Sequence, residues 1–142
     1  MRISLLLCLL FFSLSFTSQL KQEKNEEWIS LFDGKTLNGW KVGANAETFK
    51  VQNGVIVVNG KVAHLFYDGA VANHNFTNFE LKLDIMTKPG ANSGVYIHTL
   101  FQESSWPKKG YEVQVNNSQT DWRRTASLYA IQDIKEVFVK DD

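Results

Sequence analysis

Four side chains in two short runs have the types and spacing for acid–base chemistry on a small polar ligand. Tyr96 and His98 lie in SGVYIHTL (93–100), and Glu112 and Gln114 lie in GYEVQV (110–115). One residue separates the members of each pair, and successive side chains of a strand point to opposite faces. If both runs are strands, all four share one face, with Val95, Ile97, Tyr111, Val113 and Val115 turned the other way into a core. A carboxylate and an imidazole on one surface can exchange protons with a bound group. An amide and a phenol beside them can donate to and accept from hydroxyls. That face reads as the floor of a polar groove.

The elements that must position these residues are strands. FELKLDIM (79–86) alternates in the same way and sends Phe79, Leu81, Leu83 and Ile85 toward the core. ETFKV (47–51) and VIVV (55–58), joined across Asn53-Gly54, predict a hairpin. Further strands are expected at 28–32, 62–67, 126–131 and 136–139, with turns at Asp33-Gly34, Asn38-Gly39 and Asn59-Gly60. Trp28 and Trp40, flanking the first of these turns, are expected in the core. No window carries a capped 3.6-residue pattern. The chain therefore reads as an antiparallel all-β domain. Its strands are too few to cover both faces of a two-sheet sandwich, so the domain reads as incomplete at its C-terminus.

A length of 142 residues predicts one domain, and the balance of 15 basic against 15 acidic residues excludes a nucleic-acid field. Residues 1–18 have the pattern of a secretory signal peptide: Arg2, an apolar stretch from Leu5 to Phe16, and small residues at Ser15 and Thr17. The apolar stretch is too short to span a bilayer, so no membrane insertion is expected after cleavage. A polar tether follows at 19–27, then the domain at 28–142. The single cysteine, Cys8, falls in the leader, so the mature chain has no disulfide, thiol nucleophile or thiolate metal site. Export without cysteine points to a bacterial periplasm, cell surface or medium.

WISLFDGKTLNGW (28–40), NFELKLDIMT (78–87), GANSGVYIHT (90–99), KGYEVQVNN (109–117) and TASLY (125–129) together resemble the 3-keto-disaccharide hydrolase domain family. The resemblance spans about residues 27–139. It implies a concanavalin A-like jelly-roll sandwich of two sheets and an enzyme that hydrolyses glycosides whose sugar carries a ketone at C3. The family often has Arg where His98 stands and Gly where Ala126 stands, and it usually continues beyond the Ser-Leu-Tyr run. Such a ketone acidifies the proton on C2, so one base can remove it and the C1 substituent can leave by β-elimination, with water adding afterwards. That chemistry needs a base, an acid for the leaving oxygen, and donors at the keto oxygen. Glu112 and His98 are the expected acid–base residues; the sequence does not divide the two roles between them. A non-catalytic carbohydrate-binding module using the same face is the alternative.

Around this pair, Gln114, Tyr96 and Asn92 are expected to hold sugar hydroxyls, with Tyr129 of the Ser-Leu-Tyr run beside them. Trp106 and Trp122 lie in loops from which an indole can stack on a pyranose, and Arg123 can donate to the keto oxygen. No metal or other cofactor is expected. His64, His74 and His98 match no zinc spacing, and Asp33, Asp68 and Asp121 form no calcium loop.

Overall fold

A computed structural model describes residues 27–142; the expected signal peptide and most of the tether lie outside the described residues. Among the described residues six strands are formed: β1 (Trp40–Val42), β2 (Phe49–Gln52), β3 (Val55–Val58), β4 (Leu65–Tyr67), β5 (Ser93–Ile97) and β6 (Tyr111–Val115). Helical turns among the described residues are confined to two 3-10 segments, Ala46–Thr48 and Val71–His74. The strands pair antiparallel as β1–β4, β2–β3 and β5–β6. The chain is thus all-β and antiparallel, consistent with a β-sandwich.

The expected hairpin is present. Asn53 (φ 50°) and Gly54 (φ 80°) both take the left-handed conformation that a two-residue primed turn needs, and Gln52 pairs with Val55 across it. The expected strand at 126–131 exists in broken form. Residues 125–129 run antiparallel to β6 through four backbone hydrogen bonds. Gln114 N donates to Ser127 O (2.9 Å), Ala126 N to Gln114 O (3.0 Å), Tyr129 N to Glu112 O (2.9 Å) and Thr125 N to Asn116 O (3.0 Å). Positive φ at Ala126 and Ala130 interrupts the ladder, and Leu128 folds back onto Gln132. This irregular strand makes β6 the centre of the best-knit region.

Three expected strands are corrected. Residues 28–32, 79–86 and 136–139 form no ladder, although Trp40 Nε1 ties the first segment down through Leu31 O at 2.9 Å. Segment 79–86 is unpaired, and its expected core residues Phe79, Leu81, Leu83 and Ile85 stay 39–51% exposed. Alternation decides which side chains share a face; it does not provide the neighbouring edge that turns an extended segment into a strand. Trp28 also stays outside the core, 45% exposed with the Lys82 ammonium over its ring at 3.6 Å. Trp40, half-buried, packs edge-on against Tyr67 at 5.3 Å on the β1–β4 pair, which no sequence signal foretold.

The most deeply buried residues beside β6 are polar. Gln114, Asn116 and Ser127 are 0–1% exposed, and Val115 is the buried apolar residue between them. The Asn116 amide donates to Asp121 O and Arg123 O (both 2.9 Å), and its Oδ1 accepts from Gln119 N (2.9 Å). One side chain thereby fixes the turn that carries Asp121, Trp122 and Arg123. Asn116→Ala leaves three backbone groups without that partner, each costing about 1–3 kcal/mol. A loss of at least about 3 kcal/mol is therefore expected in urea unfolding.

Candidate active site

Register alone brings two of the expected residues together. β5 and β6 pair Tyr96 directly with Glu112 and Gly94 with Gln114. Cross-strand partners project from the same face, and the Tyr96 hydroxyl donates to Glu112 Oε2 at 2.8 Å. The Glu112 side chain lies diagonally over Gly94. A methyl group at Gly94 would collide with the Glu112 carboxylate and its Cγ, so the glycine of the NSG run makes room for the acid. Burial pushes the Glu112 carboxyl above the usual carboxylate range; the bond from Tyr96 opposes this, and the nearby Asp121 charge adds to it. Burial, then the bond to Glu112, holds the Tyr96 proton well above the usual phenol value, so Tyr96 remains a donor.

His98 does not join this pair. Its φ of 53° ends β5 and breaks the alternation that would have carried its side chain to the Glu112 face. Gly110, the next position along the ladder, lies so close to the backbone of Ile97 and His98 that a Cβ there would collide with it. The His98 ring is exposed and packs on Phe79 at 5.7 Å between centroids. Among the described residues no hydrogen bond or ion pair joins it to Glu112.

A different imidazole stands at the site. His64, just before β4, packs edge-to-face on Tyr96 (5.6 Å, 84°) and on Trp106 (5.4 Å, 80°). Burial depresses its pKa below the ordinary imidazole value, so it is neutral near pH 7. The sequence weighed His64 only as a metal ligand, because nothing local links residue 64 to residues 96 and 112.

The remaining expected residues divide by what they touch. Gln114 is sealed from solvent and cannot meet a sugar. Its amide reaches Asn92 Oδ1 at 3.5 Å, and Asn92 Nδ2 reaches Gln119 Oε1 at 3.3 Å, so Gln114 backs the exposed Asn92. Arg123 is committed elsewhere. It lies 3.5 Å from Asp121 Oδ1 and 3.3 Å from Asp133 Oδ1, the latter off-line for a hydrogen bond. Its guanidinium also sits over the rings of Tyr129 (4.4 Å) and Trp122 (4.8 Å). The expected keto-oxygen donor is therefore a clamp between aromatic rings and carboxylates. Tyr129 shares that clamp, its hydroxyl 3.3 Å from Asp121 Oδ2, while its backbone N–H holds the Glu112 carbonyl. The backbone N–H of Arg123, first among several donors, holds the Asp121 carboxyl below its usual range. Asp121 therefore stays ionised close to Glu112.

Trp106 lines a cleft of about 310 Å³ with His64, Val62, Asn45, Gly43 and Glu103 among its walls. Gln102 builds the loop that holds the indole: its side chain donates to Ser104 O (3.0 Å) and Trp106 O (2.6 Å) and accepts from Lys108 N (3.0 Å). Neither Gln102 nor the cleft was foreseen from sequence. Among the described residues, no group of three or more His, Cys, Asp or Glu is placed to hold a metal ion, and no helix is long and apolar enough to cross a membrane.

The antiparallel β scaffold thus carries a half-buried carboxyl held by Tyr96, and a neutral imidazole that packs between Tyr96 and the exposed indole of Trp106. Residues 27–141 match the 3-keto-alpha-glucoside-1,2-lyase-like domain, and the chain belongs to that family. It is similar to a 3-keto-disaccharide hydrolase of Bacteroides thetaiotaomicron, at 36% identity over 94 residues that cover 61% of this chain and 32% of the relative. The match thus spans about a third of the relative's length. No solved structure matches the chain.

Proposed function

We propose that the chain carries the acid–base centre of an enzyme that cleaves 3-keto-glycosides by elimination and hydration. The observation that carries this reading is the Tyr96–Glu112 pair, 2.8 Å apart, with the neutral ring of His64 against Tyr96. Glu112, its basicity raised by burial, takes the proton from C2 of the sugar. Negative charge moves onto the C3 oxygen, where a neutral imidazole N–H from His64 donates. A neutral histidine does this without surrendering its own proton to the enolate. The C1–O bond then breaks, and the leaving oxygen takes its proton from the Glu112 carboxyl. Water adds across the C1–C2 double bond, its hydroxyl to C1 and its proton to C2, and gives the free 3-keto sugar. Tyr96 holds the carboxylate in place and limits how far its pKa rises. The leader-like residues 1–18 support action outside the cytoplasm.

Incubation of the chain with a 3-keto disaccharide, with the freed 3-keto monosaccharide read by mass spectrometry, tests the proposal. Tight binding without release would make the chain a carbohydrate-binding module and contradict it. The pH dependence carries a signed prediction. A base must be ionised, so the acid limb of kcat/KM falls above the usual carboxylate range. Tyr96→Phe removes the hydrogen bond that lowers the Glu112 pKa, so the limb moves to higher pH. An unmoved limb, or one displaced to lower pH, would detach Tyr96 from the base.

A further inference from the structure

We infer that segment 79–86 is a β-edge on which a second copy of this chain pairs antiparallel, in the register that sets Leu83 opposite Leu83. The inference does not draw on the proposed chemistry. The chain runs from 79 to 88 without a turn or bend, and among the described residues no backbone–backbone hydrogen bond reaches 79–86. The segment is held from both ends. Phe79 packs on Phe76 and on His98, at 5.8 and 5.7 Å between centroids. The buried Thr87 donates through its hydroxyl to Asp141 Oδ1 (2.5 Å) and accepts at its carbonyl from Asp142 N (2.9 Å). Between these anchors the unpaired N–H and C=O groups form a template for another strand. Leu81, Leu83 and Ile85 are 44–51% exposed, so the row is half covered and open at its edge.

The charges on the segment select a copy of itself as the partner. Glu80, Lys82 and Asp84 alternate in sign on one face, and Phe79, Leu81, Leu83 and Ile85 line the other. Parallel pairing about a two-fold axis would set each charge against its own kind. Antiparallel pairing centred on Glu80, Lys82 or Asp84 puts like charges at its centre, and a centre between two residues sets the charged face against the apolar one. Centring on Leu81 brings Glu80 opposite Lys82, but it recruits Thr77 and Asn78, where the chain bends. Centring on Leu83 uses only the unbent stretch 80–86. It sets Lys82 opposite Asp84 twice, Leu81 opposite Ile85 twice, and Leu83 opposite its own copy, so the apolar row continues across the junction. The Lys82 ammonium, over the Trp28 ring at 3.6 Å, is placed on that face before the partner arrives. The contact is the same on both copies and therefore closes at two.

Sedimentation velocity of the full chain is the test, run over about 1–100 μM, the range expected for an interface of one strand pair. A monomer–dimer equilibrium is expected. Asp84→Lys faces Lys82 with a second lysine on both sides of the axis. It should raise the dissociation constant at least about tenfold, the equivalent of about 1.4 kcal/mol. Lys82→Glu combined with Asp84→Lys restores opposite charges and should bring the constant back to within about threefold of the unaltered chain. Glu80→Lys, opposite Met86 in this register, should change it less than about twofold. All three positions are exposed, so the variants keep the fold, which circular dichroism checks. A chain that stays monomeric across the range, or that grows into open-ended assemblies, overturns the pairing. So does a double variant that dimerises no better than Asp84→Lys alone. A loss with Glu80→Lys as large as that with Asp84→Lys overturns the register.

Discussion

Glu112→Gln is expected to reduce kcat on a 3-keto disaccharide by about 10²–10⁴-fold while the KM changes little. The amide has the shape of the carboxyl, and its oxygen still accepts from the Tyr96 hydroxyl, so the β5–β6 face keeps its geometry. What it cannot do is take the C2 proton or return one to the leaving oxygen. Single-turnover assays on the purified variant, with circular dichroism to establish folding, make the measurement. Retention of more than about a tenth of the turnover would remove Glu112 from the chemistry, because general acid–base catalysis contributes at least about 10²-fold.

His64→Ala comes second, with an expected loss of about 10²–10³-fold, the range for deleting one donor at a developing oxyanion. The alanine variant also opens space between Tyr96 and Trp106. His64→Gln therefore accompanies it. The glutamine retains an N–H donor and is expected to recover part of the loss, which a purely structural role for the ring would not explain. His98→Ala is the matched comparison. Its ring packs on Phe79, so the expected loss is less than about threefold, below the range of any acid–base role. If His98→Ala falls as far as His64→Ala, the assignment of the imidazole is wrong.

The contrast between these two histidines shows what the sequence could and could not carry. The alternation of SGVYIHTL and GYEVQV put Tyr96 and Glu112 on one face, because a strand's period of two is a local property; the register that sets them opposite each other is not. The alternation failed one residue later. His98 takes a left-handed φ at the strand end, and nothing in the residue types around it announced the bend. His64 was illegible for a different reason: its contact with Tyr96 joins residues far apart in the sequence, which no local pattern encodes. Gln114 and Arg123, expected to meet the sugar, are engaged by groups of the chain itself. Gln114 is enclosed by the broken strand at 125–129, and Arg123 is held by two carboxylates and two rings.

The scaffold divides along the same line. Asn53-Gly54 fixed the β2–β3 hairpin because turn chemistry is local. FELKLDIM has the alternation of a half-buried strand, yet no strand edge borders it among the described residues, and its apolar side chains remain open. The polar knot around Asn116 showed in the sequence only as the loop that carries Trp122. Its energetic weight comes from hydrogen bonds to Asp121, Arg123 and Gln119 that a sequence shows merely as nearby letters.

The most direct test of the account follows the C2 position of the sugar. The reaction is run in heavy water on a 3-keto disaccharide, and the C2 proton of the released sugar is read by NMR, with non-enzymatic exchange subtracted. Elimination by Glu112 followed by hydration predicts a product that carries solvent deuterium at C2 as it forms, and almost no product or exchange with Glu112→Gln. A product that retains its original C2 proton, or deuterium incorporation by Glu112→Gln at the unaltered rate, would contradict it.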